Sequence, residues 1–477
     1  MNSGNTRPAP DSVLTDIADY VTSFEIASSD AYTTARYCVL DALGCAIEAL
    51  DYPECANLIA PPVSGMSCAN GARVPGTSFE LDPVNAAFSL GTMIRWLDAN
   101  DSFTAGDGSH PSDNLGGILA TADYVSQRRV AERKSPLLMR DVLTATIKAY
   151  EIVGMFVLEN SFTAVGCDHA IMTRVATAAV AAQMLGGSRD EIVNALSNAW
   201  ADGLTVKCYR QAPNTGTRKN WAGGDESARG VRLALLAVRG DMGYPSVLTA
   251  KKFGFYEALF RGQPFRFQRA YGSYVVENVL FKFVAAGMHA QTAVECALEL
   301  HPQVRDRLGE IESITLETQK ALIGIMHKEG PLHNAADRDH CAQYVVSIAL
   351  IFGRVSPTDF EDEFAADPRI DALRSRISVV ENPRYTEDFH RPDKRSSANA
   401  LRIRMKGSAQ DLFAEAEFPL GHPRRRERAL PMLEAKFKAS IATRFAPKQQ
   451  QRIIEAGRDQ ARFESMPVQE FLELFVA

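Results

Sequence analysis

The sequence predicts a mainly α protein: a large all-helical domain, a smaller α+β lid, and C-terminal helices that return to the first domain. Three observations carry this. Apolar residues recur at helical spacing from Val13 to about Arg239. Period-two segments cluster between Ile311 and Lys406. Helical periodicity then resumes from Leu430 to Val476. These shifts divide the chain into a helical part over 1–271, a lid over 272–415 and a returning helical part over 416–477. With 477 residues the chain is too long for one core.

The elements follow in order. Residues 1–12 are polar and predict no order. Val39, Ala42, Leu43 and Ala46 make one stripe of a helical stretch over 13–50. Residues 52–77 are a Pro/Gly-rich connector. Asp82 caps the next helix with Pro83 in its first turn. That helix runs into a polar loop at Asp98. Apolar helices follow over 118–125, 135–158 and 171–185, the last rich in alanine. Ser188-x-x-Glu191 is a capping box. A helix over 226–239 closes the first part. In the lid, IESITLET, RISVVE and ALRIRMK read as strands, with helices over 286–300 and 339–352.

Composition narrows the function. Apolar residues are 46% and charged residues 23%, with a net charge of −6. That balance excludes a dedicated nucleic-acid binder, which needs a basic footprint, but not a small anionic substrate. The short basic turn Pro423–Arg428 is too little for nucleic acid and suits an active-site arginine or a dimer seam. The N-terminus lacks a signal-peptide core and no apolar run reaches membrane-spanning length, so a cytoplasmic protein is expected, with no membrane partner. The eight cysteines are scattered without C-x-x-C spacing, which signals neither a zinc ribbon nor an iron–sulfur cluster. Nucleotide-binding glycine motifs, G-x-S-x-G and H-E-x-x-H are missing too.

What remains is acids, histidines and lysines in shaped loops. Asp98, Asp101, Asp107, His110 and Asp113 fall within one loop broken by Gly106, Gly108 and Pro111. Carboxylates and a histidine held between two helices suit acid–base chemistry. Asp107 and Asp113 read as turn and cap residues. His169 precedes the Ala-rich helix, where the helix dipole favours a neutral imidazole. Lys207, Arg210, Arg218 and Lys219 make a cationic loop without acids, suited to a substrate with several carboxylates. Lys282 lies in an apolar run, and His289 follows two helical turns later. His340 reads as a helix-start residue with no chemical role.

Four stretches carry a resemblance: RWLDANDSFTAGDGSHPSDNLGGILATADY, RQAPNTGTRKNWAGGDESARGVRLALLAVRGDMGYPSVLTA, FRFQRAYGSYVVENVLFKF and NAADRDHCAQY. Together they resemble the family of 2-methylcitrate dehydratases and cis-aconitate decarboxylases, the MmgE/PrpD family. The second stretch is similar to the dehydratase branch in particular. The resemblance implies a helical domain with an α+β lid, a homodimer, and no iron–sulfur cluster, other cofactor or metal. It places the catalytic set on Asp98, Asp101, His110, His169, Lys219 and Lys282. Ser102 stands where threonine is frequent, keeping the hydroxyl. Ser102, Arg218, Lys207, Arg210 and His289 are the expected substrate-binding residues. The implied activity removes water from 2-methylcitrate to give 2-methyl-cis-aconitate in propionate catabolism, with citrate as a further substrate. The alternatives are decarboxylation or epimerisation on the same scaffold, or tricarboxylate binding without turnover.

Overall fold

A computed structural model describes residues 6–477. The body is built from α1 (Ser12–Ser23), α2 (Ser29–Ala49), α3 (Pro83–Trp96), α4 (Leu115–Ala131), α5 (Met139–Glu159), α6 (Ala170–Met184), α7 (Arg189–Ala201) and α8 (Arg218–Ala237). Local chemistry sets several starts. Ser28 accepts the Ala31 N–H at α2, and Asp82 accepts those of Val84 and Asn85 at α3. At α7, Ser188 and Glu191 cap each other reciprocally.

The helices pack at small residues. A Cβ on Gly91 of α3 would lie 2.7 Å from the Gly224 Cα of α8, and one on Gly116 of α4 would lie 2.6 Å from the Gly91 Cα. Three backbones therefore touch directly, which holds the ends of α3 and α8 at a fixed separation. From Ala170 to Ala182 every residue of α6 is buried, as its alanines require.

The second part holds α9 (Gln291–Val304), α10 (Lys320–Met326), α11 (Ala342–Phe352) and four strands: β1 (Ile311–Thr318), β2 (Ile377–Glu381), β3 (Asn399–Met405) and β4 (Leu412–Ala416). The sheet order is β2-β1-β3-β4, with β1 and β2 parallel and the other pairs antiparallel. Register sets Ile314 against Ile377 and Ile403, all on the buried face. α9 packs on that face, where the Cys296 thiol meets the Asn399 carbonyl at 3.5 Å. Then α12 (Arg426–Ala442) and α13 (Pro447–Arg458) return to α2. Phe437 of α12 packs on Gly44, and Ser440 donates to Glu48 at 2.9 Å. No helix among the described residues is long and apolar enough to cross a membrane.

Four expectations need correction. Residues 1–5 lie outside the described residues, but residues 6–12 are held: the Asp11 N–H donates to Pro245 at 2.7 Å and its carboxylate accepts the Leu248 N–H at 2.7 Å. The last body helix starts at Arg218 rather than Glu226, because its Gly223-Gly224 face packs on Asp113 and α3. Tertiary contact overrides the weak helix propensity of two glycines there. Residues 279–287 are not helical, since Leu280 pairs with Ser102 and Phe281 with Gly421. Lys282 and His289 are thus not two turns of one helix. Strand β4 has no sequence forecast, being short and half exposed.

The glycine contact gives a measurable expectation. Gly224→Val should cost about 2 kcal/mol or more of unfolding free energy by urea titration, as overpacking does. Gly309→Ala, with nothing within 4 Å of the new Cβ, should stay within about 0.5 kcal/mol.

Candidate active site

The site begins where α3 ends. Asp98 has a φ of +50°, the left-handed conformation that glycine adopts at helix ends. An aspartate there turns its carboxylate back over the helix terminus. Lys282 donates to its Oδ1 at 2.7 Å and to its carbonyl at 2.9 Å, and Arg95 pairs with the same carboxylate oxygen. All three side chains are buried.

His110 follows at the end of the loop. Its Nδ1 lies 2.9 Å from the Asp101 carbonyl, which can only accept, so Nδ1 carries the proton. Nε2 is left with a free lone pair, 4.0 Å from Asp98 Oδ1. The Asp101 carboxylate sits below, accepting the Tyr150 hydroxyl at 2.8 Å and the Ser112 N–H at 3.2 Å. Burial raises its pKa. Burial, with Arg95 and Lys282 nearby, pushes His110 well below the ordinary histidine range.

His169 faces His110, with ring centroids 5.5 Å apart. It stands at the start of α6. Its Nδ1 is 3.7 Å from Asp168, and its Nε2 is buried without a partner. Burial lowers its pKa well below the usual value, and Asp168 only partly opposes this. Burial also works against the Asp168 carboxylate, but Arg210 and His169 hold it below the usual carboxylate range. The imidazole pair is thus neutral at pH 7.

Lys219, in the first turn of α8, donates to both oxygens of Asp339 at 2.6 and 2.8 Å. His340 Nδ1 donates to Asp339 at 2.6 Å, and its Nε2 is 3.6 Å from Asp98 Oδ2. Burial lowers Lys219 to about 8, with Asp339 opposing. Burial and then Lys219 lower His340 to about 3.

These groups surround a cleft of about 670 Å³ including its mouth. Of the residues expected from sequence, Asp98, Ser102, His110, His169, Lys207, Arg210 and His289 line it. Ser102 Oγ is buried with no partner, and Lys207 is held by the Thr163 hydroxyl at 2.6 Å. Burial lowers His289 to about 4. Asp101, Lys219 and Lys282 stand behind the wall, supporting it. Arg218 does not join them. Consecutive helical residues diverge by about 100°, so Lys219 points inward and Arg218 outward. There Arg218 pairs with Asp225 at 3.2 Å and stacks on Trp221.

Four residues of the site escaped sequence reasoning: Arg95, Asp168, Asp339 and His340. Arg95 precedes Asp98 by three residues on a helix, and Asp168 adjoins His169, so both signals were present. His340 is not a helix-start residue: a one-turn helix, Ala335–Arg338, ends before it and α11 begins at Ala342. Asp107 holds the Thr163 N–H and hydroxyl, both at 2.9 Å. Asp113 packs on Gly223 and faces Arg95 at 3.7 Å. Asp107 is a turn residue that also lines the cleft, and Asp113, expected as a cap, instead serves Asn100 and Arg95. Asp98, Asp339 and His340 also offer atoms within 4.8 Å of one another, as a metal would need. Arg95, Lys282 and Lys219 already occupy those carboxylates.

One further cation supports the site from α12. Lys436 is paired with Asp41 at 2.8 Å and donates to the carbonyls of Ala99 at 2.8 Å and Lys282 at 3.0 Å. Arg426, from the basic turn, donates to the Glu277 and Val279 carbonyls. Lys436→Met should cost about 3–5 kcal/mol, because it strands a buried carboxylate. The double variant with Asp41→Asn should lose clearly less than the sum of the single losses in a urea-unfolding cycle.

A helical scaffold that brings neutral imidazoles, buried lysines and a strained aspartate to one cleft defines an acid–base enzyme for a polyanionic substrate. The chain belongs to the MmgE/PrpD family: the model of its N-terminal domain matches residues 15–268 and that of its C-terminal domain residues 284–461. A 2-methylcitrate dehydratase of Cupriavidus necator is 56% identical over 98% of both chains. One from Escherichia coli (strain K12) is 54% identical over 99% of both. A mitochondrial 2-methylcitrate dehydratase of Yarrowia lipolytica is 48% identical, covering 99% of this chain and 91% of its own.

Proposed function

We propose that this chain is a 2-methylcitrate dehydratase, a hydro-lyase that removes water from 2-methylcitrate to give 2-methyl-cis-aconitate. The observation that carries the reading is the pair of neutral histidines beside the Asp98–Lys282–Arg95 cluster, in a chain 53–56% identical to bacterial dehydratases. The reaction breaks a C–H bond next to a carboxylate and a C–O bond on the adjacent carbon. His110 Nε2, with its lone pair free, takes the proton. The electron pair forms the C=C bond as the hydroxyl leaves with the proton that His169 takes up when the trianionic substrate binds. The cations around the cleft stabilise the charge that builds on the carboxylate in the transition state. A trianionic substrate also raises the affinity of the imidazoles for protons, so the depressed histidines become useful bases once it is bound.

In this reading the body (residues 1–271 with 416–477) supplies the acid–base groups, and the lid (272–415) closes over the substrate. The enzyme works in the cytoplasm as a homodimer, without an iron–sulfur cluster or metal. Lys219 and Lys282 act by orienting Asp339, His340 and Asp98, and Lys207 meets substrate at the mouth. Citrate, dehydrated to cis-aconitate, is a further substrate.

His110→Ala should lower kcat at least about 100-fold, followed through the ultraviolet absorbance of the conjugated acid. Turnover within a few-fold of wild type would remove His110 from the chemistry. A chelator should leave the rate unchanged, and the product should retain all its carbon. The pH profile follows from the lysine. A base depressed to about 8 is charged below that pH and neutral above it, so kcat/KM should fall above about pH 8 as Lys219 loses its proton. Lys219→Arg should shift that alkaline limb upward.

A further inference from the structure

The cleft wall is chemically two-sided. Among the described residues lining it, apart from two glycines, every side chain is polar or charged except Met288, Ile325 and Met326. All three come from the C-terminal family domain, whereas His110, His169 and Asp98 come from the N-terminal one. The apolar patch adjoins the reacting groups. A Cβ on Gly287 would lie 2.7 Å from Met326 Sδ and 3.5 Å from His340 Nε2. That same Nε2 is 3.6 Å from Asp98 Oδ2. The Met326 thioether therefore rests on bare backbone beside His340 and the Asp98–Lys282–Arg95 cluster.

A tricarboxylate has little use for such a surface. A carboxylate set against two methionines and an isoleucine would lose its hydration without a partner. The apolar group that 2-methylcitrate has and citrate lacks is its methyl. It sits on the carbon that gives up the proton, where citrate carries a second hydrogen. We infer that Met288, Ile325 and Met326 form a methyl subsite that selects 2-methylcitrate over citrate and turns the remaining hydrogen of that carbon toward the histidines. The inference rests on the dehydratase reading above. It divides the work: the body performs the chemistry, and the lid chooses the substrate and its face. Methionine suits the task, since its flexible side chain moulds to a single methyl.

The test is the ratio of kcat/KM for 2-methylcitrate to that for citrate, measured on the purified full-length enzyme. Wild type should favour 2-methylcitrate by at least about tenfold, the discrimination one methyl group gives in an apolar pocket. Ile325→Asn should reduce the ratio about tenfold, with the loss falling mainly on 2-methylcitrate, while Ile325→Val should keep the preference. Ile325 is only partly buried, so the change is tolerable to the fold. Met288→Gln, on a separate element, repeats the test should Ile325→Asn fail to fold. An unchanged ratio in the polar variants, or equal loss on both substrates, would overturn the subsite while leaving the dehydratase reading intact. A wild-type enzyme that dehydrates citrate but not 2-methylcitrate would overturn both.

Discussion

The buried contact among Asp98, Lys282 and Arg95 is the constraint on which the rest of the site depends. One carboxylate oxygen is shared by two cations from different parts of the chain, Arg95 on α3 and Lys282 on the segment leading to α9. In a dry interior such a cluster is sharply geometric, because a displaced charge has no water to fall back on. It fixes the end of α3, orients Asp98 toward the histidines, and anchors the strand-like segment that pairs Leu280 with Ser102. The left-handed backbone at Asp98 is the strain this arrangement stores.

Around that cluster, charge is balanced in layers. Asp168 answers Arg210, Asp339 answers Lys219, and Asp41 answers Lys436. The imidazoles between them remain neutral because burial and the surrounding cations disfavour a further positive charge. The cleft is thus poised for anions. A substrate with three carboxylates supplies the missing negative charge, and in doing so changes the basicity of the groups that act on it.

Much of this was legible in the residues. Periodicity and caps located the body helices, and period-two runs located three of the four strands. Asp98, His110 and His169 stood out because acids and histidines next to turn residues are costly to place without purpose. What stayed hidden was partnership across the chain. Nothing local to Asp339 says that it will find a buried counter-charge in Lys219, 120 residues away. Helical phase misled at Lys282 and His289, where a bridge to Gly421 forces an extended path. It also separated Arg218 from Lys219, neighbours in sequence that the helix points in different directions.

The Lys436 contact carries a consequence for how the protein is made. A ribosome delivers the chain from the N-terminus, and the body helices and all four strands precede residue 436. Until α12 emerges, Asp41 lies in the body without its cation, and the carbonyls of Ala99 and Lys282 lack their shared donor. Charge neutrality beneath the cleft is therefore completed only after the helices and strands that shape it have been made. A prematurely ended chain would carry every residue proposed for the chemistry and still lack the cation that seats them.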